Sequence, residues 1–250
     1  MKNISRRTFS KGTLGSLLTF SLLESLFCRD AFTREIKPVV AKWLSELNAN
    51  AKDVKNRKLT QIEWQEQVET LMAQANLGDL MKFVDFDRLT EKIPLSDRGE
   101  RAFAKKFPKV EGLPTQLVFG HQIFALKQDC SVAPHGHNNM ATAFLVLQGN
   151  CHGRHYDRLE DGKDFMIIKP TLDEQFSAGQ YSTVSDHKDN IHWFKAKSKS
   201  AYIFNIHVLN VNENIQKGGR VYVDPFGEKL AHGLVKAKTL SKKQAYDKFG

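Results

Sequence analysis

The stretch Pro134-His135-Gly136-His137-Asn138-Asn139-Met140-Ala141-Thr142-Ala143-Phe144-Leu145-Val146-Leu147-Gln148-Gly149 decides how this chain is read. Two histidines at i and i+2 on extended backbone project from one face, so both imidazoles can reach a common point. The apolar run 144–147 that follows is closed by Gly149, as expected of a short buried strand that ends in a turn.

Outward from this stretch, short runs rich in Val, Ile, Phe and Thr recur at 116–126, 142–147, 165–168, 181–184, 192–195 and 201–209. Strands at such spacing, with no long helix between them, predict an antiparallel sandwich or barrel over residues 114–212. Gly179 precedes Asp189-Asn190-Ile191-His192-Trp193-Phe194 by the length of a strand and a turn, which places His192 near His135 and His137. Three imidazoles inside a barrel suit a divalent first-row metal with open coordination positions better than a closed structural zinc site. The plain alternative is a barrel without metal whose histidines are polar loop residues.

His135-x-His137, the Val146-Leu147-x-Gly149 run and the Gly179-to-His192 spacing together resemble the two motifs of the cupin superfamily. The resemblance implies a mainly β, cupin-type double-stranded β-helix (jelly-roll) barrel. The Glu ligand usual after the His-x-His is missing, and no carboxylate occurs between Asn138 and Gln148. A three-His cupin of this kind is similar to cysteine dioxygenase and the other thiol dioxygenases, and the His137-Asn138 and Leu147-Gln148-Gly149-Asn150 segments match that family in spacing. It implies His135, His137 and His192 as ligands of Fe(II), with Zn, Mn or Ni as other candidates. It also implies O2 and a small thiol as substrates, and His207 as a histidine beside the ligands. Three neutral imidazoles leave the charge of the ion uncompensated, which favours a thiolate, and the product would be a sulfinate. Thr142 stands where animal cysteine dioxygenases carry a crosslinked Cys, and Asn205 and Leu209 replace the Ser and Tyr that flank the family's histidine. No upstream Arg for a substrate carboxylate is identifiable.

His207, amid Tyr202–Phe204 and Ile206–Val208, reads equally as a core histidine. His121 is a weak candidate for the cavity wall, and His187 an alternative ligand. His152 and His155 fall in a Gly-containing hairpin and are expected to be exposed. Phe144, Trp193, Phe194 and Tyr202 suggest an apolar wall. Another three-His oxygenase, an isomerase or hydrolase using Zn or Mn, and a non-catalytic small-ligand binder remain open as alternatives.

Before the barrel, residues 30–113 read as a helical lead-in that packs on it. Val39, Val40, Trp43, Leu44 and Leu47 form one stripe at helical spacing, and Ile62, Trp64, Val68, Leu71 and Met72 form another, with 50–57 separating them. Thr60 and Glu63 form a capping box opening the second helix. A short helix is expected near 77–83, and 94–114 as a connector. After the barrel, 213–250 reads as a C-terminal extension of turns with a last helix at 242–249.

At the N-terminus, Ser5-Arg6-Arg7-Thr8-Phe9-Ser10-Lys11 before a short apolar run resembles a twin-arginine (Tat) signal over residues 1–29. The run is too short for a membrane span and is interrupted by Glu24. The expectation is a protein exported through the Tat machinery to the periplasm, either cut at an unplaced site or retained as a periplasm-facing anchor.

The formal charge of +9 is scattered, with no interleaving of basic and aromatic residues, so a nucleic-acid partner is not expected. Three cysteines make no disulfide framework, although a Cys130–Cys151 bond or two separate buried thiols would each fit the spacing. A homodimer through edge strands is expected only by analogy with cupins.

Overall fold

A computed structural model describes residues 29–250 except 92, 105, 106, 108, 112 and 216–218, with side chains described from residue 36 onward. The expected signal segment, with Cys28, lies outside the described residues except for its last residue, Arg29.

The described residues lead in with the helices α1 (Arg29–Lys55), α2 (Gln61–Gln74), α3 (Leu77–Phe83) and α4 (Phe86–Glu91). The Thr60–Glu63 capping box forms, with Glu63 N donating to the Thr60 hydroxyl and Thr60 N donating to the Glu63 carboxylate. The expected break at 50–57 is not where α1 ends. The helix runs on to Lys55 because Ala51 and Val54 continue the buried stripe of Leu44 and Leu47. Val39 (59% exposed) and Ile62 (41%) fall beside their stripes and face outward.

The strands that follow among the described residues are β1 (Arg101–Phe103), β2 (Gly120–Lys127), β3 (Ser131–Gly136), β4 (Met140–Gln148), β5 (Asn150–Asp161), β6 (Phe165–Ser177), β7 (Tyr181–Val184), β8 (Ile191–Ala196), β9 (Ser200–Leu209), β10 (Val221–Lys229) and β11 (Val235–Leu240). One sheet has the order β1-β2-β9-β4-β7, and the other closes as β10-β11-β6-β5-β8-β3. Within them, β2-β9-β4-β7 facing β3-β8-β5-β6 is the strand order of an eight-stranded jelly roll. The chain is therefore mainly β, a jelly-roll barrel behind an α-helical N-terminal region.

The first sheet is covered on both faces, which is why its strands read as unbroken apolar runs. Ala141, Ala143, Leu145 and Leu147 face the helices with Ile123, Phe204 and Ile206, whereas Phe144 and Val146 face the barrel interior with Phe124, Ile203 and Phe194. The segment 213–250 contributes more than turns. Its strands β10 and β11 close the second sheet, bringing Val223, Val235 and Ala237 against Met166, Ile168 and Ile191. Their short apolar runs alternate with lysines and acids, so little periodicity shows in the sequence. The final helix, α5 (Lys242–Phe249), lies over β3 and β8 through contacts of Phe249 with Trp193 and Ser131. Cys130 and Cys151 are both free and buried.

Candidate metal centre

His135 is the penultimate residue of β3, His137 directly follows the strand, and His192 lies on β8 directly across from His135. Because paired residues on neighbouring antiparallel strands point to the same side, the register alone aims His135 and His192 into one space. The metal-ligating atoms of the three lie within 4.8 Å of one another. His135 Nδ1 donates to the Ala133 carbonyl (2.7 Å), and His192 Nδ1 donates to that of Asn190 (3.0 Å). A carbonyl can only accept, so each ring carries its proton on Nδ1 and turns a bare Nε2 lone pair to the common point.

No such carbonyl anchors the His137 ring among the described residues. Its Nε2 lies 3.0 Å from His135 Nε2, a hydrogen bond in the metal-free protein. Adjacent ligands at right angles, with metal–nitrogen bonds of ~2.1 Å, would lie roughly 3 Å apart, so the same spacing fits a shared ion. The donor set thus fits a divalent metal held by His135, His137 and His192.

Burial holds the imidazoles of His135 and His137 well below the ordinary histidine range, helped by repulsion from His192. Burial likewise lowers His192 to about 3, against the hydrogen bond to Asn190. These are the neutral forms that a metal requires. The sign for stability follows. In the metal-free protein the unfolded chain takes up protons near pH 6.5 whereas the folded one does not, so the stability they confer is whole above that pH and is lost as pH falls below it, for His192 down to about 3. Each neutral histidine costs about 1.4 kcal/mol per pH unit through that window. We expect the unfolding temperature of metal-free protein to drop by roughly 10 °C or more between pH 7 and 5, as scanning calorimetry would show. A flat profile would mean that these rings are hydrated.

The three histidines open into a cavity of about 310 Å³ between the two sheets. Phe124, Met140, Phe144 and Leu209 supply apolar wall, and Gln122, Thr142, Asn205, His207 and Arg220 supply polar groups. No Asp or Glu lines it among the described residues. The Thr142 hydroxyl is buried without a hydrogen-bond partner, a polar group with room for a bound molecule.

His207 sits in the cavity wall. Its Nδ1 donates to Asn205 Oδ1 (3.2 Å), which also accepts from Gln122 Nε2 (3.1 Å). Burial lowers its proton affinity as well. A Cβ on Gly120 would lie 2.2 Å from His207 Nε2. We therefore expect Gly120→Ala to push the ring into the cavity and cost about 1–3 kcal/mol, while the metal affinity, set elsewhere, stays unchanged. Thermal unfolding and cobalt titration of the variant would check both parts.

Several other expectations are corrected. His155 is not exposed: β5 turns Cys151, Gly153 and His155 inward, and His155 is fully buried opposite His192 with ring centres 6.5 Å apart. His152, one position out of phase, faces outward and pairs with Asp173. His187 is exposed and outside the histidine cluster. His121 does not line the cavity; it points to the helix side and stacks on Phe107 at 4.1 Å. Trp193 and Tyr202 also leave the site, since each alternates with an inward neighbour. Trp193 packs under α5 and Tyr202 against Phe86.

Arg220 was not legible in the sequence. It precedes β10 in the segment taken for an extension, and only the pairing of β10 with β3 brings it to the cavity. Burial works against its charge, yet Glu100 holds the guanidinium protonated through a 2.6 Å contact, with Tyr246 of α5 at 3.1 Å.

No family model matches the chain, and neither does any curated protein. Among solved structures, procruciferin, an 11S globulin from Brassica napus, overlaps 42% of this chain and 23% of its own at 14% identity and a TM-score of 0.31. Recombinant oxalate oxidase in complex with glycolate overlaps 51% of this chain and 56% of its own at 15% identity and a TM-score of 0.36. KdgF from Halomonas sp. overlaps 36% and 66% at 12% identity and a TM-score of 0.28. The chain thus spans under a quarter of the globulin's length and little more than half of the oxidase's. The strand order of this chain, taken by itself, is that of a jelly-roll barrel.

Proposed function

We propose that this protein is a metal-dependent cupin enzyme, a non-haem Fe(II) dioxygenase that oxidises a small thiol to a sulfinate after export by its twin-arginine segment. The observation that carries this reading is the ligand set: three neutral imidazoles in a cavity whose described lining has no carboxylate. When bound, ferrous iron supplies electrons for O2 activation and a positive charge that favours a thiolate.

The chain's own groups have definable tasks. His135, His137 and His192 hold the ion without adding negative charge. Arg220 offers its guanidinium to an anionic group on the substrate, such as a carboxylate, because a guanidinium has five donors, of which Glu100 and Tyr246 engage Nη1 and Tyr222 takes one more. The Thr142 hydroxyl is placed to hydrogen-bond the bound molecule. Phe124, Phe144 and Leu209 shield the reacting sulfur from water. The overall change balances: the O–O bond breaks, two S–O bonds form, and sulfur loses the four electrons that O2 gains.

The test is oxygen uptake by iron-loaded protein across small thiols with and without a carboxylate, with mass spectrometry of the product. We expect a product heavier by two oxygen atoms, and an Arg220→Met variant that loses turnover selectively with carboxylate-bearing thiols. Iron-loaded protein that consumes no O2 with any thiol would overturn the assignment. Export is tested separately: an Arg6→Lys, Arg7→Lys double variant should stay in the cytoplasm.

A further inference from the structure

Helix α2 carries a polar stripe where a packed helix is expected to be apolar. Gln61, Gln65 and Glu69, spaced four apart, lie on one face and all grip the end of β7 and the turn after it. Gln65 is fully buried. Its Oε1 accepts from the Ser185 hydroxyl (2.7 Å), and its Nε2 donates to the Thr183 hydroxyl (3.2 Å). Gln61 receives Asp186 N (2.9 Å) and donates to Asp186 Oδ2 (2.8 Å), while Asp186 Oδ1 accepts from Met140 N (3.3 Å) at the start of β4. Burying such amides is costly unless every one is matched, and apolar side chains would pack the helix more simply. Their matching specifies one position for the turn.

That turn leads directly to the metal centre. The amide of Asn190, itself buried, donates both to the Ser185 carbonyl (3.0 Å) and to the carbonyl of His137 (2.8 Å). The Asn190 main-chain carbonyl accepts from His192 Nδ1. Asn190 thus touches two of the three ligands, and it steadies the backbone of His137, the ligand whose ring lacks a carbonyl anchor. Its Oδ1 lies over Gly136, where a Cβ would come within 2.4 Å of it, so the glycine between the two histidines admits this side chain. From α2 to the centre the connection is Gln65–Ser185–Asn190–His137.

We propose that Asn190 is a positioning residue that fixes the spacing of His137 and His192, and that Gln65 and Ser185 fix Asn190 in turn. The helical region then sets the metal affinity of the barrel it covers. This rests on the three-His metal reading.

The experiment is titration of metal-free protein with Co2+ against a chromophoric chelator. The visible bands of cobalt report coordination, and thermal unfolding of the metal-free forms runs alongside. Loss of an outer partner of a metal ligand costs 10–100-fold in affinity, and Asn190→Ala should fall in that range with altered cobalt bands. Gln65→Met and Ser185→Ala cut one link from its two sides, so each should weaken cobalt binding by a similar, smaller factor. The double variant should be no weaker than the worse single one, the non-additivity of a shared contact. Should Asn190→Ala fail to fold, the two milder variants decide. Wild-type protein that binds no cobalt overturns the metal reading itself and this proposal with it. Wild-type binding with variants of unchanged affinity and bands, whatever their unfolding temperatures, overturns the positioning role alone.

Discussion

Replacing His192 by Ala should abolish stoichiometric metal binding while leaving the barrel folded. The ring is fully buried and lies between His135 across the strand pair and His155 on the other side. Its loss removes one of three ligand atoms, and neither His187 nor His155 belongs to the cluster that would take over. Outer partners alone are worth 10–100-fold in affinity, so loss of a direct ligand should weaken binding on the order of 1000-fold or more. The folded metal-free state should tolerate the change, because the variant no longer buries a group that must stay neutral and the space opens into an existing cavity. Metal analysis of protein purified without oxygen or added metal, for wild type and variant side by side, gives the answer. Equal metal in both would move the site away from these histidines.

Phe194→Ala should be the most damaging single change among the inward aromatics. Phe194 is 1% exposed and follows His192 on the inward face of β8, with its ring 4.8 Å from Phe144 and 5.9 Å from Phe176. It also lies 5.6 Å from His155 and close to Gly153, whose absent side chain makes room for it. Truncating such a ring costs about 3–5 kcal/mol, because the surrounding sheets cannot collapse into the space. A loss of that size is a large fraction of the stability of an ordinary domain. Chemical denaturation should show a lower midpoint with an unchanged slope, and metal affinity should fall because His192 loses the packing that orients it. A loss under about 1 kcal/mol would mean that the interior repacks freely.

The parts legible in the sequence were those governed by local rules. The capping box at Thr60 and Glu63, the helices at Leu77–Phe83 and Lys242–Phe249, and the strand Tyr181–Val184 stand where periodicity and capping chemistry put them. His135 and His137 were legible because i, i+2 spacing fixes direction locally, whereas His192 joined them through its spacing from Gly179 and is brought across from His135 by the β3–β8 pairing. What escaped was set by pairing between distant strands. Arg220 reaches the cavity only because β10 joins β3, and Asn190 matters only because α2 holds the turn before it. His155 read as a hairpin residue, since β5 turns its buried face inward through Cys151 and Gly153, a pattern too weak in apolar residues to show.

The closure of the second sheet has a consequence in time. Strand β3, which carries His135, is flanked by β8 on one side and by β10 on the other, with Tyr222 paired directly to His135. A chain made from its N-terminus contains both His135 and His192 before Val221–Leu240 exists. Until then one edge of β3 is open, Arg220 is absent and the pocket has no complete wall. Such long-range pairing is slow to form, so the centre is finished only after the last strands are made. A metal held by these histidines would then be acquired by an essentially complete polypeptide, the order that the proposed export of folded cargo would require.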